Sequence, residues 1–175
     1  MDLISKFPGP LQPYARLARL DKPTGYWLLV FPAWWSMALN SPHGRGPDFK
    51  LMLLFFLGAV VMRAAGCAVN DVYDRKFDSK VARTKTRPVA SGEIGVAAAL
   101  VFAVVLSLIG LAIVWQMGVL PTILAAASLP LILFYPLMKR FTWWPQAFLG
   151  LTFNWGVLVG SAAVTGSVTL PARGC

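Results

Sequence analysis

Five stretches of the sequence are apolar and nearly free of charge: 24–40, 50–69, 94–116, 117–138 and 144–165. At about 1.5 Å of rise per residue such runs are read as helices that cross a bilayer rather than as helices of a soluble core. The pattern predicts an all-α, polytopic membrane helix bundle. Tyr26–Trp27 and Trp34–Trp35 mark the ends of the first run as an interfacial aromatic belt, and Pro32, Pro121, Pro130 and Pro136 are expected to kink their helices. Residues 1–23 are different. Pro8, Pro10 and Pro13 interrupt them, and Leu11, Tyr14, Leu17 and Leu20 then form an apolar stripe with Arg16 and Arg19 beside it. That suits a short amphipathic helix lying on an anionic surface. No apolar signal-peptide core precedes Lys22, and the arm is not rich enough in Arg and Ser for a transit peptide. Residues 41–49 read as a loop, as do 70–93, where Pro88 and Gly92 break the helix and Ser91 is a plausible N-cap for the next one.

Composition agrees with lipid as the solvent: 57% of the 175 residues are hydrophobic and only 13% are charged. A net charge of +9 in a soluble chain would suggest nucleic acid, but the positive-inside rule accounts for it, and no nucleic-acid partner is expected. Five spans put Lys6, Arg16, Arg19, Lys22, Arg75, Lys76, Lys80, Arg83, Lys85, Arg87, Lys139 and Arg140 on one side. The other side receives only Arg45, Lys50 and Arg173. Twelve cations against three place the polar loop on the cytoplasmic face of a multi-pass protein, and a bacterial inner membrane is the expected location. Cys67 and Cys175 show no framework spacing, and Cys67 reads as a small packing residue.

The chemistry concentrates between Met62 and Ile94. Asn70, Asp71, Asp74 and Asp78 fall on one face of a helix, and the three carboxylates span roughly 10 Å along its axis. Acids crowded in this way repel unless a cation joins them. Hard oxygen ligands suit Mg²⁺, and the basic residues that follow suit the phosphates such a metal carries. The alternative is a solvated helix end neutralised by Arg75, Lys76 and Lys80. Arg63, two turns before Asn70, costs about 2.5–3.5 kcal/mol to insert and so requires a partner. It either faces the acids, or snorkels and pairs with a neighbouring helix. Lys139 and Arg140 read as a second wall of a diphosphate pocket or as a plain positive-inside anchor. Asn154 reads as an interhelical hydrogen-bonding residue, and His43 as a loop residue.

The segments DKPTGYWLLVFP (21–32), RAAGCAVNDVYDRKFDSKVARTKTRPVASGEI (63–94) and YPLMKRFTWWPQAFLGLTFNWG (135–156) resemble the UbiA superfamily of intramembrane prenyltransferases. The similarity runs from about Leu17 onward, and is greatest to the 4-hydroxybenzoate polyprenyltransferases of ubiquinone biosynthesis. The resemblance implies nine transmembrane helices around a central cavity, of which this chain holds about five. It also implies Mg²⁺-dependent transfer of the chain of a polyprenyl diphosphate onto an aromatic acceptor, ortho to its phenol oxygen, with the lipid tail entering from the bilayer. Carried over by position, Asn70, Asp71, Asp74 and Asp78 would form the first metal-binding motif, and Arg63, Lys139 and Arg140 would contact the diphosphate or the acceptor carboxylate. A second aspartate-rich motif belongs to the family, yet no acidic residue follows Glu93. The chain is therefore expected to be a truncated or frameshifted relative, with Ala172–Arg173–Gly174–Cys175 as its scar and little transfer activity alone. Two other readings stay open. One is a sister enzyme acting on haem, chlorophyllide, homogentisate or a naphthoate; the other is a non-catalytic membrane subunit or channel-like protein.

Overall fold

A computed structural model describes the backbone of residues 3–42, 46–141 and 145–168, with side chains at all of these except 3, 135–141 and 145. Arg45, His43, Arg173 and the Ala172–Cys175 tail lie outside the described residues. Two short 3-10 turns, Leu3–Lys6 and Gly9–Leu11, lead into six helices: α1 Gln12–Leu17, α2 Thr24–Leu39, α3 Phe49–Asp78, α4 Val96–Trp115, α5 Val119–Phe141 and α6 Pro145–Thr165. No strand occurs among the described residues, so the fold is all-α. Three of these helices, α3, α4 and α6, are long and apolar enough to cross a membrane by length and composition. The 16 residues of α2 make a shorter apolar helix, and so does the Val119–Phe134 part of α5.

Local chemistry sets the helix ends. The Asp48 carboxylate accepts from the backbone N–H of Lys50 at 2.8 Å and of Leu51 at 3.3 Å, capping α3. At the far end α3 continues nine residues beyond the expected boundary and carries the acids on helix rather than loop. Asn70 Nδ2 donates to Asp74 Oδ2 one turn on, and Arg75 and Lys76 in the last turn suit its negative pole. Ser91 is not the N-cap of α4: its hydroxyl bonds Pro88 O, and the helix starts at Val96. Gly118, at φ +119°, makes the turn into α5 that a residue with Cβ would resist.

The chain divides into two compact units. One, Met1–Gly25 with Val61–Leu108, has a core of Leu17, Ala68, Val89, Ile94, Ala99 and Ala103, and Tyr14 packs its ring against Phe102 at 5.2 Å. Leu17 of the arm is 0% exposed and is buried in this core. An apolar stripe fits either environment, and here α1 is only six residues long and is anchored by the packing of Leu17 and Tyr14.

The other unit, Tyr26–Val60 with Ile109–Cys175, is centred on Met37, Val114, Met117 and Val159. There α2 approaches α6 closely enough that a Cβ on Gly160 would come 2.8 Å from Ala33 O, and Ser36 Oγ donates to Val157 O at 2.8 Å. Trp155 Nε1 donates to Leu124 O at 2.8 Å, tying α6 to α5. Asn154 bonds the carbonyl of Gly150 on its own helix, so it does not serve as the expected interhelical link.

Candidate functional site

The site lies in the first unit, at the polar end of α3. Asp71 is 2% exposed, and a carboxylate so deeply placed needs cationic partners. It has two. Arg19 Nη2 donates to Asp71 Oδ1 at 2.6 Å, and Arg87 Nη1 donates to the same oxygen at 3.3 Å. Arg87 Nη1 also donates to Asp78 Oδ2 at 2.7 Å, bridging two acids that lie two turns apart on α3. Asp74 accepts from Asn70 Nδ2, one turn back on α3.

Each arginine is delivered by a defined turn. Arg19 is the residue after the C-cap of α1: Leu20 N–H bonds Ala15 O at 3.3 Å and Arg19 N–H bonds Arg16 O at 3.1 Å, the two hydrogen bonds of a Schellman ending. That position calls for left-handed backbone, and Arg19 adopts φ +53° there, where glycine is usual. The strained turn aims its guanidinium at Asp71. Burial works against the charge on Arg19, but the groups around it, Cys67 and then Asp71, more than offset this and hold its pKa above the ordinary arginine value. Arg87 comes from the run of turns after α3. That segment is pinned by the Thr84 hydroxyl donating to Asp78 O at 3.1 Å and by buried Val89 and Ile94. Arg16, beside Arg19 on the arm, pairs with Glu93 at the end of the same segment.

Together these residues line a cleft of about 450 Å³ formed by Arg16, Arg19, Lys22, Arg83, Arg87 and Asp71, with Asp21, Thr84, Thr86 and Pro88 completing its wall. Five cations face two acids. A cleft of this charge, with forked guanidinium donors, selects a polyanion such as a phosphate or diphosphate. Asn70, Asp71, Asp74 and Asp78 supply oxygen donors of the type a hard divalent ion takes, so their chemistry fits Mg²⁺. Among the described residues, however, no three acids converge on one point. A metal on Asp71 or Asp78 would share those carboxylates with Arg19 and Arg87.

Arg63 lies one turn before Cys67 on α3 and makes no ion pair among the described residues. Its guanidinium lies over Gly25: a Cβ built there would come 2.5 Å from Nε and 2.9 Å from Nη2. Arg63 thus packs against the first turn of a neighbouring helix, α2. Lys139 and Arg140 fall on α5, where their side chains lie outside the described residues.

Sequence reasoning thus found the acids but not their partners. Arg75, Lys76 and Lys80, adjacent in sequence, are not what Asp71 and Asp78 bind; Arg19, 52 residues away, and Arg87 are. The sequence pattern suits Arg16 and Arg19 to a membrane surface, and no signal in it points to their pairing with Glu93 and Asp71.

Residues 29–174 match the UbiA prenyltransferase family. The 4-hydroxybenzoate polyprenyltransferase, mitochondrial, of Dictyostelium discoideum is 52% identical over 168 residues, which is 95% of this chain and 36% of that protein. The enzyme of the same name from Arabidopsis thaliana is 52% identical over 161 residues, 92% of this chain and 40% of its own length. The chain thus spans well under half the length of these curated relatives. The apo structure of a UbiA homolog from Aeropyrum pernix K1 shares the fold with a TM-score of 0.72 at 24% identity, covering 83% of this chain and 52% of the other. The relatives are eukaryotic and named mitochondrial, which overturns assignment to a bacterial inner membrane with a cytoplasmic site. Charge bias sorts loops between two sides of a bilayer without naming the compartment. With the helices, the acid-bearing α3 and the matched residues in agreement, the chain belongs to the UbiA prenyltransferase family.

Proposed function

We propose that this chain forms the diphosphate-binding part of an intramembrane aromatic prenyltransferase that transfers a polyprenyl chain from its diphosphate to 4-hydroxybenzoate, in a mitochondrial membrane. The observation that carries the reading is the cation-lined cleft at the polar end of a helix long and apolar enough to cross a bilayer. A lipid diphosphate needs a polar pocket for its head at that level and apolar surroundings for its tail. Arg19, Arg87, Arg83 and Lys22 would bind the diphosphate and offset the charge it gains as the allylic C–O bond breaks and the electron pair leaves with it. Asn70, Asp71, Asp74 and Asp78 would hold Mg²⁺, which when bound supplies further neutralisation of the leaving group. Arg63, fixed over Gly25, would orient the head group or the acceptor carboxylate, and Lys139 with Arg140 would add cationic contacts. A water-poor cavity would protect the allylic cation until the electron-rich ring carbon bonds to it, after which the ring loses its proton.

The test is prenyl transfer in detergent by the Dictyostelium discoideum relative carrying this chain in place of its matching segment, with 4-hydroxybenzoate, a polyprenyl diphosphate and Mg²⁺, against homogentisate and a naphthoate as competing acceptors. Product with 4-hydroxybenzoate that falls at least about 100-fold in Asp71→Ala is the expected result, the scale of losing a principal charge-stabilising group. Turnover indifferent to Asp71→Ala, or confined to another acceptor, would refute the reading.

A further inference from the structure

The cations at and beyond the end of α3 divide into two sets. Arg87 turns inward to Asp71 and Asp78, and Arg83 lines the cleft. Arg75, Lys76, Lys80 and Lys85 are exposed and make no ion pair among the described residues. The acids Asp71, Asp78 and Glu93 are engaged by Arg19, Arg87 and Arg16 instead. Like charges crowded between positions 75 and 85 repel one another, and a solvated surface ordinarily mixes both signs. Exposed Val81 stands among them. The length of α3 sets their height. Its 30 residues rise about 45 Å, the thickness of a bilayer with its headgroup layers, whereas the hydrocarbon alone takes about 30 Å. The charge-poor part, 51–69, accounts for the hydrocarbon. Arg75 and Lys76, in the last turn, therefore reach headgroup level, and Lys80 and Lys85 follow in the turns beyond.

We propose that Arg75, Lys76, Lys80 and Lys85 form a docking surface for the headgroups of anionic phospholipids in the leaflet at the polar end of α3. Charge complementarity and height both favour lipid as the occupant. Each cation held near an anionic leaflet strengthens attachment by about fivefold, and a juxtamembrane cluster of this kind is the usual form of such a contact. The consequence reaches the cleft. The segment that docks by its outward cations also supplies Arg83 and Arg87, so lipid on one side steadies the cleft wall on the other. Its turns are closed by hydrogen bonds such as Lys80 N–H to Phe77 O at 3.0 Å and Thr84 N–H to Val81 O at 3.0 Å. Turns this exposed open at low cost unless something covers them.

The test uses the Dictyostelium discoideum relative carrying this chain in place of its matching segment, in nanodiscs of phosphatidylcholine with or without phosphatidylglycerol. Hydrogen exchange of the amides between Lys76 and Arg87 is compared in the two lipids, so that the ratio cancels intrinsic rates. Docking predicts exchange at least about fivefold slower in the anionic discs, the effect of one cation held at the surface. The difference should vanish at about 1 M NaCl, where charges are screened beyond about 3 Å. It should also vanish in Lys76→Gln/Lys80→Gln and persist in Lys76→Arg/Lys80→Arg. Lys6→Gln/Lys50→Gln removes as much charge from exposed positions elsewhere and should leave the ratio within about twofold of wild type. Equal exchange in the two lipids overturns the proposal, whether fast, as in a solvated loop, or slow, as beneath a protein partner. A difference that survives Lys76→Gln/Lys80→Gln, or is lost equally in Lys6→Gln/Lys50→Gln, overturns it too. Should the first variant misfold, the salt series on the unsubstituted protein decides: a lipid difference unmoved by salt refutes a headgroup contact.

Discussion

Gly25 in the first turn of α2 is the position where stability and activity should part most cleanly. A methyl group there would lie 2.5 Å from Arg63 Nε, 2.9 Å from Nη2 and 3.0 Å from Cζ. Relaxed contacts between heavy atoms are about 3.5–4.0 Å, so Gly25→Ala forces the guanidinium back by roughly 1 Å. The obstacle is the far end of a flexible side chain, and no backbone need move. An off-rotamer adjustment of Arg63 costs about 0.5–1.5 kcal/mol. Alanine returns up to about 1 kcal/mol of helix propensity. The variant should therefore unfold within about 1 kcal/mol of wild type. If Arg63 orients a substrate, a displacement of 1 Å reduces transfer by up to about 100-fold, because catalysis depends on geometry at that scale. Prenyl transfer at saturating substrates, measured beside thermal unfolding of the same preparation, reads both quantities. A Gly25→Ala enzyme with wild-type transfer, or one whose loss tracks unfolding, would refute a positioning role for Arg63.

Two further predictions concern the scaffold. Leu17→Ala should destabilise the first unit by about 2–4 kcal/mol, as expected for a core leucine, and increase proteolysis of the arm; were the arm a lipid-surface helix, stability would hold and membrane association would fall instead. Gly160→Ala places a methyl group against the backbone of Ala33, which cannot swing aside, so thermal unfolding should show a loss of about 1–3 kcal/mol.

The helices were legible because lipid imposes a strict rule: backbone polar groups satisfied internally, and long apolar runs. The acids were legible too, since Asp71, Asp74 and Asp78 share a helical face whatever surrounds them. What pairs with those acids was not legible. Hydrophobic periodicity in the arm fits a protein core and a bilayer surface alike, and the choice depends on the pocket that Ala68, Val89 and Ile94 provide for Leu17. Arg19 escaped for a related reason. Its turn lacks the glycine that marks such endings, so neither its left-handed backbone nor its contact 52 residues away could be read. The Gly25–Arg63 contact joins two motifs that sequence shows only as separate strings.

One further consequence belongs to α3, a single unbroken helix that carries both Arg63 and Asp71. Eight residues of regular pitch work as a ruler between the two charges. Removing one residue between Ala64 and Asn70 would turn the carboxylates by about 100° and draw them in by about 1.5 Å, away from Arg19 and Arg87. The length of that interval is therefore fixed, and so is the small size of its buried Ala64, Ala65, Cys67 and Ala68, which leave no room for larger side chains.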